Sequence, residues 1–93
     1  MVHSVITTVL VVDDDSKMRE LLASILENAG YVVETASDGK QAIKACKNSP
    51  IDVALIDVEL PGLKGTELLK TFEKFRPKMV RISLQGILLL KMR

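Results

Sequence analysis

The spacing of apolar residues along this chain keeps changing, and each change marks a boundary. Thr8-Val9-Leu10-Val11-Val12 is a β-branched run that stops abruptly at Asp13-Asp14-Asp15-Ser16. Apolarity that is continuous rather than alternating predicts a strand covered on both faces, as in a parallel sheet. Met18, Leu21, Leu22, Ile25, Leu26 and Ala29 then recur at steps of three and four, the stripe of an amphipathic helix. Asp15 or Ser16 is placed to cap its start, and Gly30 stands where a helix commonly ends on a left-handed residue.

The alternation repeats. Tyr31–Ala36 reads as a second strand, and Ser37-Asp38-Gly39 turns the chain into a helix with Ala42, Ile43, Ala45 and Cys46 on one side. Asn48-Ser49-Pro50 ends that helix. Asp52–Ile56 is a third buried strand closing on Asp57, and Leu60–Gly65 is a loop punctuated by proline and glycine. Leu68, Leu69, Phe72 and Phe75 form a third helical stripe that stops before Pro77, and Met79–Ser83 can form a fourth strand. The order β-α-β-α-β-α-β predicts an α/β fold, a doubly wound parallel sheet with helices on its faces.

Size and composition narrow the picture. Ninety-three residues make one small domain, divided as 1–7, a flexible leader; 8–83, the folded part; and 84–93, an apolar tail. Such a chain buries a modest share of its surface, so marginal stability is expected. A net charge of +1 gives no reason to expect nucleic acid or a membrane surface as a partner. A single cysteine, Cys46, excludes an internal disulfide. The longest apolar runs, Val9–Val12 and Ile87–Leu90, are too short to span a bilayer, and no signal peptide is visible. Cytoplasmic location is the expectation. His3, the only histidine, reads as part of the leader, and Cys46 as a small core residue. Lys70, Lys74, Arg76, Lys78 and Arg81 read as a solvated face, since no aromatic residue accompanies them as a base-facing platform.

The chemistry lies at strand ends. Doubly wound sheets bind ligands at the carboxyl ends of their strands, near the point where strand order reverses. Strand one ends in Asp13 and Asp14, strand three in Asp57. Like charges brought together raise one another's pKa unless a cation neutralises them. Oxygen donors suit a hard ion, Mg²⁺ first and Mn²⁺ or Ca²⁺ next. With charge so neutralised, Asp57 could act as a carboxylate nucleophile toward phosphorus and form an acyl phosphate. Taken singly, each Asp is an ordinary turn or cap residue, and Asp15 is expected to be only that. The combination of an acidic pair, a distant single Asp and a following Pro-Gly is much more restrictive.

These residues carry a family resemblance. Val9–Asp15 with Arg19 and Leu22, Gly30–Val33, Ala36–Gly39 with Ala42, and Asp52–Gly65 closely resemble the receiver domains of two-component response regulators, from about Val9 to about Val80. The resemblance implies a flavodoxin-like fold and a phosphoacceptor module that is not an enzyme in its own right. Asp57 would take a phosphoryl group from a histidine kinase or histidine phosphotransfer protein. It implies Mg²⁺ bound by the carboxylates of Asp14 and Asp57 and the backbone carbonyl of Glu59, with Asp13 of the acid pocket holding a ligand water. Pro61 and Gly65 would shape the adjoining loop.

The sequence departs from the family after about Val80. Receivers carry five βα units, a Ser or Thr ending strand four and a Lys ending strand five. Ser83 is a candidate for the hydroxyl, but no residue takes the place of the lysine, because Lys91 lies too near strand four. The expectation is a receiver fold that is incomplete, lacking the last strand and last helices, through truncation or a one-base frameshift near Met79–Ser83. One frame-shifted reading of codons chosen for 83–93 gives Ile-Thr-Gly-Tyr-Pro-Ser-Ala-Glu-Asn-Ala, much like a receiver's passage into helix four. An exposed apolar sheet edge would follow, covered in part by the apolar tail or by a second copy, with weak stability and dimerisation or aggregation. The competing readings are a non-signalling receiver fragment acting only through protein–protein contact, and a haloacid-dehalogenase-like phosphatase. The latter wants an Asp-x-Asp pair at the end of strand one and a downstream lysine, and no such downstream partner is visible here.

Overall fold

Seven elements alternate along the chain in the computed structural model, which describes residues 6–57, 60 and 65–84. They are β1 (Thr8–Val12), α1 (Ser16–Asn28), β2 (Val32–Ala36), α2 (Gly39–Asn48), β3 (Val53–Ile56), α3 (Gly65–Phe75) and β4 (Val80–Ser83). All strand pairs are parallel, in the order β2-β1-β3-β4. The chain therefore steps outward from β1 to β2, returns across β1 to β3, and continues the other way. The reversal falls between β1 and β3.

The uninterrupted apolar run of β1 has a direct cause. Leu10 and Val12 face α2 and α3, in a core with Ala42, Cys46, Ala54, Ile56, Leu68 and Phe72. Val9 and Val11 face the other way, with Leu55, Leu84 and the half-buried Leu22 and Leu26 of α1. A central strand in a sheet covered on both faces has no polar side, and β1 shows none.

Element ends follow from hydrogen bonds that the apolar pattern does not carry. Asp15, rather than Ser16, caps α1: its carboxylate accepts from the N–H groups of Lys17 (3.0 Å) and Met18 (3.3 Å). Replacing Asp15 with alanine is expected to cost about 1 kcal/mol, read as a lower urea midpoint at unchanged slope. At the other end Gly30, at φ 99°, donates to the Glu27 carbonyl while Tyr31 donates to that of Leu26. This paired closure recruits Tyr31 into the helix cap, which is why β2 begins at Val32 and not at Tyr31. Helix α3 begins at Gly65, the last residue of the segment read from the sequence as loop.

Two expectations need correction. The α1 stripe is only partly used: Leu21 and Ile25 remain 55% and 52% exposed. Among the described residues α1 is the one long helix on its face, so only its side over the sheet is covered. The basic stretch is not all solvated face. Arg76 donates from Nη2 to the Cys46 carbonyl (2.9 Å), ties α2 to α3, and lies 5.7 Å over the Phe75 ring. Arg81 in turn donates to the Arg76 carbonyl at 3.2 Å. Cys46 is a free, fully buried core residue, and burial pushes its thiol pKa up.

Candidate functional site

The register of the sheet builds the site. Val12 lies level with Ala36 on one side and Ile56 on the other, so β1, β2 and β3 end together. The backbone ladder continues one step further. Asp13 donates its N–H to the Ala36 carbonyl (3.1 Å) and Asp57 donates to that of Val12 (2.9 Å). Asp13 and Asp57 thus leave the sheet side by side, at the strand-order reversal where doubly wound sheets place ligands. Carboxylate oxygens of Asp13, Asp14 and Asp57 all lie within 4.8 Å of one another. Asp13 is buried, Asp57 half-buried and Asp14 exposed, so the cluster runs from the sheet edge out to solvent.

Asp13 is held more firmly than its place in an acidic run suggests. Its Oδ1 accepts the Asp15 N–H at 2.9 Å, and its carbonyl accepts from Arg19 Nη1 at 2.8 Å. Burial pushes the Asp13 carboxyl above its ordinary pKa, and the negative charges of Asp57, Asp14 and Asp15 push the same way. The hydrogen bond from Asp15 opposes them. An acid whose pKa is raised on folding holds its proton more tightly in the folded chain. Its contribution to stability is therefore present at low pH and is lost as pH rises through the raised value. Asp13→Asn, which keeps the acceptor oxygen, is expected to raise the melting temperature of the metal-free protein by a few degrees at neutral pH. It should also flatten the dependence on pH, as thermal melts in a chelating buffer would record.

The donor set suits a hard divalent ion: oxygens only, more negative charge than so small a volume tolerates, and an open side for water. Among the described residues these three acids are the group able to hold a metal. Ser83 ends β4 level with Ile56, half-buried at the same carboxyl edge as Asp57. Glu59, Pro61 and His3 lie outside the described residues. Arg19 entered the sequence reading only as one letter of a motif. Its contact with the Asp13 carbonyl is a feature that only the folded helix reveals.

Comparison with known proteins agrees with this geometry. The family model for the response regulator receiver domain matches residues 9–86. The alkaline phosphatase synthesis transcriptional regulatory protein PhoP of Bacillus subtilis is 45% identical over 62 residues, covering 67% of this chain and 26% of its own length. A receiver domain protein (CheY-like) from Methanospirillum hungatei superposes with a TM-score of 0.83 at 37% identity, over 85% of this chain and 63% of that one. The response regulator TrrA of Thermotoga maritima, solved in complex with Mg(2+)-BeF, gives 0.74 at 35% identity, over 77% and 63%. The chain spans between 10% and 29% of the length of the curated relatives it matches. No helix among the described residues is long and apolar enough to cross a membrane.

Proposed function

This chain belongs to the response regulator receiver domain family, and from that premise we propose that it is a phosphoacceptor module of a two-component system, with Asp57 as the acceptor. The observation that carries the reading is the convergence of Asp13, Asp14 and Asp57 at the strand-order reversal. The donors are a histidine kinase or a histidine phosphotransfer protein. The carboxylates of Asp14 and Asp57 and the backbone carbonyl of Glu59 would hold Mg²⁺, with Asp13 beside them. When bound, the ion supplies charge neutralisation for an incoming phosphoryl group.

The chain's own residues do the rest. A carboxylate oxygen of Asp57 attacks phosphorus as the phosphorus–nitrogen bond of the donor breaks. The electron pair returns to the imidazole, which takes up a proton, and an acyl phosphate remains on Asp57. Asp13 and Asp14 orient what neutralises the charge and take no part in bond-making. The module is a signalling element and not an enzyme with a separate turnover substrate, and its setting is cytoplasmic.

The test is incubation with acetyl phosphate. A Mg²⁺-dependent adduct that hydroxylamine removes supports the reading; an adduct formed equally in chelator overturns it. A homodimer is part of the proposal, with a second copy as the occupant of the β4 edge. Val80 and Ile82 stand 53% and 37% exposed there, and β4 has no further neighbour among the described residues. Sedimentation that is independent of concentration would remove that part.

A further inference from the structure

We propose that Arg19 is a positioning residue of the acidic site, acting on the backbone of Asp13 and thereby setting the affinity for a divalent cation. The inference rests on the reading of Asp13, Asp14 and Asp57 as a cation site. Its basis is a contact between elements. Arg19 sits on α1, and its Nη1 donates at 2.8 Å to the carbonyl of Asp13, which has just left β1. The arginine is half-buried, and a second bond ties its own N–H to the Asp15 carbonyl at 2.9 Å.

Three bonds therefore fix the 13–15 turn. One runs from Asp15 N–H to Asp13 Oδ1, one from Arg19 N–H to the Asp15 carbonyl, and one from the Arg19 side chain to the Asp13 carbonyl. The first two are local and form in any capped helix start of this kind. Only the third is a side chain reaching back from the helix to the strand end, so it ties α1 to the point where the chain leaves β1, while the ladder bonds of Asp13 and Asp57 join that point to β2 and β3. Asp14 lies exposed on the middle of that turn, so the path of the turn places its carboxylate. A charge-assisted bond to a backbone carbonyl is directional and strong, and a planar guanidinium holds its direction better than an ammonium.

The experiment is a Mg²⁺ titration of the full chain by calorimetry, repeated on variants, with the amide signals of Asp14 and Asp57 followed by NMR. Arg19→Ala is expected to weaken Mg²⁺ binding about tenfold, the low end of what orienting groups outside the coordination shell contribute. Arg19→Lys, which keeps the charge and loses the planar fork, is expected to fall between. Leu26→Ala supplies the structural control, since it loosens α1 from the sheet far from the turn. Its melting temperature should drop at least as far while its Mg²⁺ affinity stays unchanged. If Arg19→Ala does not fold, Arg19→Lys decides: wild-type affinity there overturns the proposal. Unchanged binding in Arg19→Ala overturns it likewise, as does a loss in Leu26→Ala equal to that in Arg19→Ala. A wild-type chain that binds no Mg²⁺, or binds it equally after Asp57→Asn, overturns the cation-site reading itself, a result separable from failure of the Arg19 role alone.

Discussion

A chain with asparagine at position 57 is expected to take up no phosphoryl group from acetyl phosphate, a loss of at least about a hundredfold in the rate of acyl phosphate formation. The substitution removes the attacking oxygen's charge while keeping its shape. It keeps the backbone bond by which Asp57 joins the sheet, from its N–H to the Val12 carbonyl. It also removes one of three crowded negative charges, so the metal-free fold should melt no lower than the wild type at neutral pH. Mg²⁺ affinity should fall with it, since two carboxylates attract a divalent ion less than three. Mass spectrometry of the intact chain, with and without hydroxylamine, reads the adduct, and a thermal melt reads the fold. An Asp57→Asn chain that is labelled as fast as the wild type would place the acceptor elsewhere. A variant that is unlabelled because it has unfolded would be recognised by its melt, and Asp57→Glu would then replace it as the probe.

How much of this was legible beforehand depends on which physical signal each feature leaves in the sequence. The strands and helices were readable because burial writes its own period. The run Val9–Val12 has no polar break since both faces of β1 are covered, and Ala42 and Cys46 recur one helical turn apart since they face one core. The meeting of Asp13 and Asp57 was readable from topology, because doubly wound sheets bind their ligands at the carboxyl ends of the strands beside the reversal. What could not be read was set by single hydrogen bonds. Tyr31 carries the composition of a strand residue and is claimed by the cap of α1; Arg19 has the look of any helix-surface arginine and reaches back to the Asp13 carbonyl. The exposure of Leu21 and Ile25 was hidden for a different reason. An apolar stripe states what a helix can bury, whereas the neighbours present decide how much of it is buried.

The largest effect on stability is expected from Phe72→Ala. Among the described residues Phe72 is the bulkiest side chain with no exposed surface; it stands edge-on to Phe75 at 5.6 Å and packs among the core residues of α2, β1 and β3. Removing a fully buried phenylalanine costs about 3–5 kcal/mol, and a small domain has roughly 5 kcal/mol in all to lose. Much of the metal-free variant should therefore be unfolded at room temperature, with far-UV circular dichroism reduced and the urea transition shifted toward zero denaturant. Phe75→Ala should do less, because Phe75 is only partly buried. The site supplies a second arm. Phe72 lies in the same core cluster as Ile56, one residue before Asp57, so what loosens α3 loosens the floor of the acidic pocket. A ligand that binds only the folded chain stabilises it by about 2.7 kcal/mol at a hundred times its dissociation constant. Saturating Mg²⁺ should then restore much of the folded signal of Phe72→Ala and none of that signal in the double variant Phe72→Ala/Asp57→Asn. Rescue of both variants alike would mean that the ion acts on general surface charge, and that the packing of α3 and the carboxylate cluster are energetically separate.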